Sequence, residues 1–313
     1  MVRTKPDSKQ QGSHMLWRQC GVWTCLSALV AGWLLLGMAL PSVAQQRPRG
    51  SGAEATASTA GNGYVGAPPV ARHQFVVGEK LVYGVRVTVP SLGLRDAPVA
   101  RFSTEVAERG TFYGREGLRL LVRAETIGFV KATLFDLDDR FVTYLDPMTR
   151  LPYRAEADLK EGKRVERTVI VFDQSKRTAE INSRHLVKLT GDTYDLAGLL
   201  WTVRNLDFEK PTTVKLSALS ERSGTIVTVE VELLARETIE VAGQPTPVVQ
   251  LALRPLDSDG KPSDERKLRM WITDDANRYV VRITGGNELG EFRAELVRFP
   301  NQGQTVTSQE QEK

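Results

Sequence analysis

The chain has 313 residues, 42 Lys and Arg against 38 Asp and Glu, 41% hydrophobic and 7% aromatic content, which suits one large domain better than a set of small ones. Its two cysteines, Cys20 and Cys25, both lie near the start, so the remainder has neither a disulfide framework nor a thiolate metal site. Removing Arg3, Lys5, Lys9, Arg18 and Asp7 from those totals leaves 38 basic against 37 acidic residues after position 44, which gives no electrostatic case for nucleic acid or anionic lipid.

Residues 20–40 are apolar and small with no charge, preceded by Lys5, Lys9 and Arg18 and followed by Pro41, Ser42, Val43 and Ala44. A basic start, an apolar run and small residues at its end are the parts of a secretory signal, with cleavage expected after Ala44. The alternative is a retained anchor, since about 20 apolar residues span a bilayer. Met15 is an alternative start to Met1. Neither cysteine stands at the end of the apolar run, where a lipidated N-terminus would lie. The expected organisation is therefore a signal peptide at 1–44, a disordered Pro/Gly/Ala/Ser-rich spacer at 45–72, one β-rich domain at 73–300 and a polar tail at 301–313. The address that follows is periplasmic or secreted, with a mature domain that does not span the membrane.

Apolar and polar residues alternate through most of the domain, the signature of half-buried strands. Leu81, Tyr83, Val85, Val87 and Val89 fall on one face, followed by Phe102, Thr104 and Val106, then Leu118, Leu120, Val122 and Ala124. A turn or two of helix is expected around 129–135, and a strand at Phe141. Tyr153, Ala155, Ala157 and Leu159 form a hairpin with 165–172 across Glu161-Gly162-Lys163. Later strands are marked by Val227, Val229, Val231 and Leu233; by Val249, Leu251 and Leu253; by Leu268, Met270 and Ile272; by Tyr279, Val281 and Ile283; and by Phe292, Ala294 and Leu296. Between them, 193–204 places Leu196, Leu199, Leu200 and Val203 at helical spacing behind Asp192 or Thr193 as a cap. The fold class is all-β and mainly antiparallel: a large curved meander sheet or partial barrel of about a dozen strands, with one α-helix covering it and enclosing an apolar space.

Motifs for chemistry are scarce, and no residue is assigned a catalytic, cofactor-binding or metal-binding role. His73 and His185 are the only histidines after the signal, each read as a surface residue, and there is no HExxH or G-x-S-x-G spacing. Ser223-Gly224 reads as a turn. The acidic groups Asp257, Asp259, Asp264 and Glu265, and Asp136, Asp138 and Asp139, offer hard oxygen ligands, but a hairpin turn and a solvated turn explain them as well. Asp195 and Arg204, at opposite ends of the helix, suit its dipole without forming a direct pair. Trp271 beside Asp274 and Asp275 marks a candidate pocket rim.

Four segments in order, Val77-Gly-Glu-Lys-Leu-Val-Tyr83, the 192–204 helix, Val241-Ala-Gly243 and Met270-Trp-Ile-Thr-Asp-Asp275, resemble a bacterial family of exported proteins catalogued as domain of unknown function 3108. Pro90-Ser-Leu-Gly-Leu94 departs from that family's small-residue pattern, so the local hairpin is expected to differ. The resemblance implies an envelope location and a curved antiparallel β fold, and brings no reaction or catalytic residues with it. The leading functional expectation is a noncatalytic periplasmic carrier for a hydrophobic or lipidic ligand, held in a cavity beside Leu199 and Trp201. Behind it stand a structural or protein-interaction component of the envelope, docking by strand edges, and a hydrolase using carboxylates such as Asp274 or Asp275. An outer-membrane barrel is disfavoured by the few aromatics and the polar C-terminus.

Overall fold

The computed structural model describes residues 75–208 and 213–300, apart from the Leu134 side chain. The expected signal peptide, spacer, His73 and polar tail lie outside the described residues.

Fifteen strands form one sheet. The first arm runs β1 (Lys80–Val89), β2 (Leu94–Phe112), β3 (Arg115–Thr126), β4 (Asp138–Leu145), β5 (Pro152–Glu161), β6 (Arg164–Asp173), β7 (Thr178–Ile181) and β8 (His185–Lys188). After β9 (Thr193–Asp195) comes the helix α1 (Leu196–Val203), and the second arm follows as β10 (Thr213–Leu219), β11 (Ile226–Val241), β12 (Gln244–Pro255), β13 (Arg269–Thr273), β14 (Val280–Asn287) and β15 (Gly290–Leu296). Each arm is a meander, and the arms join where β1 pairs with β15, Val85 opposite Ala294. All neighbours are antiparallel except β9 and β10, which run parallel with α1 as their crossover.

That connectivity forces the sheet to roll. Fifteen strands about 4.8 Å apart would put β8 and β9, the two edges, about 67 Å apart in a flat sheet. The chain passes from Lys188 to Thr193 in five residue steps, which reach about 18 Å at most. The edges therefore meet, and the sheet is an open barrel.

No ladder joins β9 to the first arm; side chains of β4, β5 and the β6–β7 turn do. Gln174 Nε2 donates to the Pro152 carbonyl at 3.1 Å and to the Thr193 carbonyl at 2.8 Å, tying the first arm to β9. The Thr143 hydroxyl of β4 donates to Asp195, and Arg222, in the β10–β11 turn, donates to Asp139 and Glu161. Ile170, Phe172 and Ala179 pack with Leu219 in a satellite core across the same line.

The main core is built from the inward faces read in the sequence, with Leu81, Tyr83, Phe102, Leu120, Val122, Leu251 and Ala294 all essentially unexposed. Positions that alternate along a strand reach one side of the sheet, so the two-residue rhythm became a continuous interior. Two sharp hairpins set the register. Tyr113-Gly114 and Ala242-Gly243 place both turn residues at positive φ, 53° and 76°, then 49° and 77°, matching the twist of the strands they join.

The antiparallel all-β class is as expected, with fifteen strands where about a dozen were counted. At Pro90–Leu92 the first hairpin turns through one 3-10 turn ending at Gly93, φ +68°. The weaker helical expectation around 129–135 is met by a five-residue π turn, Val130–Leu134, whose Val130 enters the core. Two local corrections follow. Thr193–Asp195 is extended and pairs with β10, so the helix begins three residues later than predicted and its cap is Asp195, not Asp192 or Thr193. Asp138 and Asp139 belong to β4 rather than to a solvated turn, and Asp139 is 1% exposed because its Oδ1 accepts the Lys160 amide at 2.9 Å.

Candidate functional site

The helix is where the fold departs most from plain sheet. Leu196-Ala-Gly-Leu-Leu-Trp-Thr-Val203 is apolar nearly all round, and every residue but Leu200 is buried, as a helix inside a barrel must be. Asp195 starts it by accepting the Gly198 amide on Oδ2 at 3.0 Å. At the other end Asn205 Nδ2 donates to the Trp201 carbonyl at 3.0 Å, satisfying one of the groups a helix terminus leaves open. Each end also holds a buried charge cluster.

At the start, Asp195 is unexposed and Glu221, from the β10–β11 turn, is 3% exposed. Burial pushes the Asp195 carboxyl up, with the Thr143 hydroxyl, the Gly198 amide and a contact with Glu221 only partly opposing it. Burial and then the Asp195 charge push Glu221 up to about 8, against the weaker pull of nearby amides including those of Leu196 and Ala197. A step further out, burial raises Asp139 to about 6, opposed by Arg222 and the Lys160 amide.

At the far end, Arg204 is 2% exposed and meets Glu79 in a two-point ion pair, Nη1 to Oε1 at 2.6 Å and Nη2 to Oε2 at 3.0 Å. Its Nε donates to the Arg278 carbonyl at 2.9 Å and Nη2 to the Asn277 carbonyl at 2.9 Å, while the Tyr279 ring lies 5.6 Å from the guanidinium carbon. The clamp ties the run-in to β1, the end of α1 and the β13–β14 loop together. Beside it Tyr83 donates to the Val280 carbonyl at 2.8 Å, and burial drives its phenol far above the usual range.

Between the clusters is the space the helix was expected to enclose. Beside Leu200 and Trp201, side chains leave little of it open. The cavity lined by Leu81, Tyr83, Phe102, Leu200, Trp201 and Arg204, among others, is about 10 Å³, room for no more than one water. Larger concavities, about 460 and 520 Å³, are open grooves on the polar outer face, one around Arg86, Asp96 and Arg293 and the other around Lys80, Arg123 and Asp158.

The remaining candidates do not converge. His185 is exposed on edge strand β8. Asp257 Oδ1 accepts the amides of Asp259 and Lys261, both at 2.9 Å, around Gly260 at φ +74°, which makes this a turn, and Asp264 is held by Arg269 at 2.8 and 2.9 Å. Glu265 lies exposed beside it. Asp136 sits 3.7 and 3.8 Å from Lys131 and Lys160, and Asp138 pairs with Arg123 at 2.9 Å. Ser223 and Gly224 lie in the β10–β11 turn. Among the described residues no three His, Cys, Asp or Glu side chains group closely enough to hold a metal ion.

Trp271 donates its indole N–H to Glu237 at 2.7 Å and lies under Arg282, so it is packed rather than poised at a rim. Asp274 pairs with Arg236, while Asp275 folds back on Thr273, Asn277 and Arg278. Burial pushes the Asp275 carboxyl up, but the Thr273 hydroxyl and those amides outweigh it and hold it below the usual range. The two carboxylates take separate partners.

A family model, "Protein of unknown function (DUF3108)", matches residues 86–297, and so covers α1, both hairpins with positive φ and the Asp274-Asp275 turn. The chain belongs to the DUF3108 family. No curated protein matches it. Among solved structures, this DUF3108 domain is similar to a β-barrel-like protein of domain of unknown function DUF1849 from Brucella abortus, at 13% identity and TM-score 0.47, covering 71% of this chain and 96% of that one. It is also similar to a DUF1089 family protein from Pseudomonas aeruginosa, at 6% identity and TM-score 0.35, covering 60% and 90%.

Sequence reasoning placed Asp195 and Arg204 on the helix but missed their partners. Glu79 stood inside the Val77–Tyr83 motif as one more charged residue, and Glu221 sat in a polar stretch, Ser220-Glu-Arg-Ser-Gly224, indistinguishable from any exposed turn. Neither carries a local signal, because what makes each important is a contact 125 residues away for Glu79 and the rolled closure of the sheet for Glu221.

Proposed function

We propose that this protein is a noncatalytic component of the bacterial cell envelope, exported across the inner membrane, that works through its outer surface as a structural or protein-interaction module. The filled interior carries this reading: a site for a lipidic ligand needs about 300 Å³ or more, and the helix-side cavity is about 10 Å³. Supporting it, the carboxylates of the DUF3108 domain that attract attention in the sequence are spent on caps, turns and ion pairs. Its outer face carries many ion pairs between neighbouring strands; Asp96 bridges Arg86 at 2.9 Å and Arg293 at 3.0 Å across β2, β1 and β15.

Crosslinking in intact cells, with the chain at its natural level, tests this. A constant protein partner is expected, captured through outer-face positions such as Arg123 or Arg293. Capture of lipid alone would overturn it. The carrier reading keeps one support, the closure of the barrel by side chains rather than by a ladder, which leaves a line along which the interior opens. It requires lipid to copurify.

A further inference from the structure

Asp195 and Glu221 are two buried acids meeting where the rolled sheet closes. Asp195 Oδ2 is satisfied by Gly198 and Thr143, but Asp195 Oδ1 and both oxygens of Glu221 make no well-formed hydrogen bond among the described residues, the Leu196 and Ala197 amides reaching Glu221 only weakly. Leaving three carboxylate oxygens dry and poorly bonded is costly enough that a missing donor is the simpler account. The charged neighbours do not supply it. Arg222, next along the turn, is committed to Asp139 of β4 and Glu161 of β5. From β9 and its run-in come Asp192, the Tyr194 phenol, raised by burial and then by the Asp192 charge, and the Thr193 hydroxyl, which donates to the Gly191 carbonyl at 3.0 Å. From α1 come backbone amides alone.

The geometry points to one proton shared between Asp195 Oδ1 and Glu221, acting as a pH-operated latch on the barrel seam. With the proton in place one carboxyl donates to the other, and α1, β9 and the β10–β11 turn are held together. When the proton leaves to solvent, two carboxylates face each other in a dry site and the seam loosens. The sign is opposite to ordinary acid denaturation. Folded-state acids raised above their unfolded values contribute stability that is full below about pH 4, where the unfolded groups are also protonated, and is lost as pH rises, here through the folded Glu221 value of about 8. Asp139, raised to about 6, adds a loss of the same sign at lower pH.

Thermal unfolding of the full chain from pH 5 to 9, for wild type, Glu221→Gln and Asp139→Asn, tests the latch. Wild type should lose on the order of 5 °C between pH 6.5 and 9, Glu221→Gln should be flat over that window, and Asp139→Asn should flatten only the part below it. Parallel wild-type and Glu221→Gln profiles overturn the proposal. Carboxyl carbon NMR of wild type decides the matter independently if Glu221→Gln does not fold: a buried carboxyl titrating well above pH 6.5 is expected, and its absence is fatal. Amide exchange distinguishes a latch from general destabilisation. At pH 9, after correction for intrinsic rates, Leu196–Val203 should open more than β1 and β15; equal loss everywhere would overturn the latch.

Discussion

Arg204 carries its charge into the interior because Glu79 and two backbone carbonyls replace the water it gives up. Removing either partner strands the other, a loss of about 3–5 kcal/mol where replacing both costs far less. Urea unfolding should accordingly place Glu79→Gln and Arg204→Leu well below wild type, and the double variant above the sum of the two losses; strict additivity would mean that the pair is not coupled. At this scale the sequence disclosed single roles but not partnerships. That an Asp or Thr caps the helix is legible, because Ser, Thr, Asn and Asp before an apolar helical run have a known local function, but the position is not: the cap expected at Asp192 or Thr193 stands at Asp195. Asp139 is not legible, since an Asp-Asp pair ahead of a strand looks solvated until Arg222 and the Lys160 amide fold over it.

Element by element, the strands that announce themselves are those with one face in the main core. Two of those sequence reasoning passed over have little inward surface: β7 and β8 are four residues each, and β8 is exposed along most of its length; β10 was passed over too, although Leu216, Ala218 and Leu219 are buried. β9 was absorbed into the helix because Thr193-Tyr-Asp195 adjoins it without a break and pairs parallel, to a strand 18 residues beyond its own end. The β11–β12 hairpin carries a correctable strain. Ala242 sits at φ 49°, a conformation that costs a residue with a Cβ about 1 kcal/mol and that Asn tolerates. Ala242→Asn should raise stability by about 0.5 kcal/mol with no change in denaturant slope; a loss of stability would show that the turn is not of the twisted two-residue kind. The Tyr113-Gly114 hairpin is different. Tyr113 offsets the same strain by packing edge-on against Tyr144, 5.2 Å between centroids, under Arg154 at 4.0 Å, and by donating to Glu156 at 2.7 Å, so Tyr113→Asn should not stabilise.

For the whole molecule, five residue steps between the two sheet edges decide the shape. They turn a fifteen-strand meander into a barrel whose wall is hydrogen-bonded everywhere but along one line, and side chains seal that line. Alternation in the sequence disclosed the sheet and its inner face, yet not the closure, because the residues that close it, polar ones on β4, the β6–β7 turn, β9 and the β10–β11 turn and the small Ile170, Phe172, Ala179 and Leu219 core, are scattered along the chain. Nor could it disclose that Tyr83 and Phe102, 4.9 Å between ring centroids, and Trp201 leave only about 10 Å³ of the space that a curved sheet with a covering helix suggests is open. The filled barrel is tested most directly by native mass spectrometry of the full chain purified gently from its own envelope fraction. The account predicts the mass of the polypeptide alone; a stoichiometric lipid adduct that survives desolvation would contradict it.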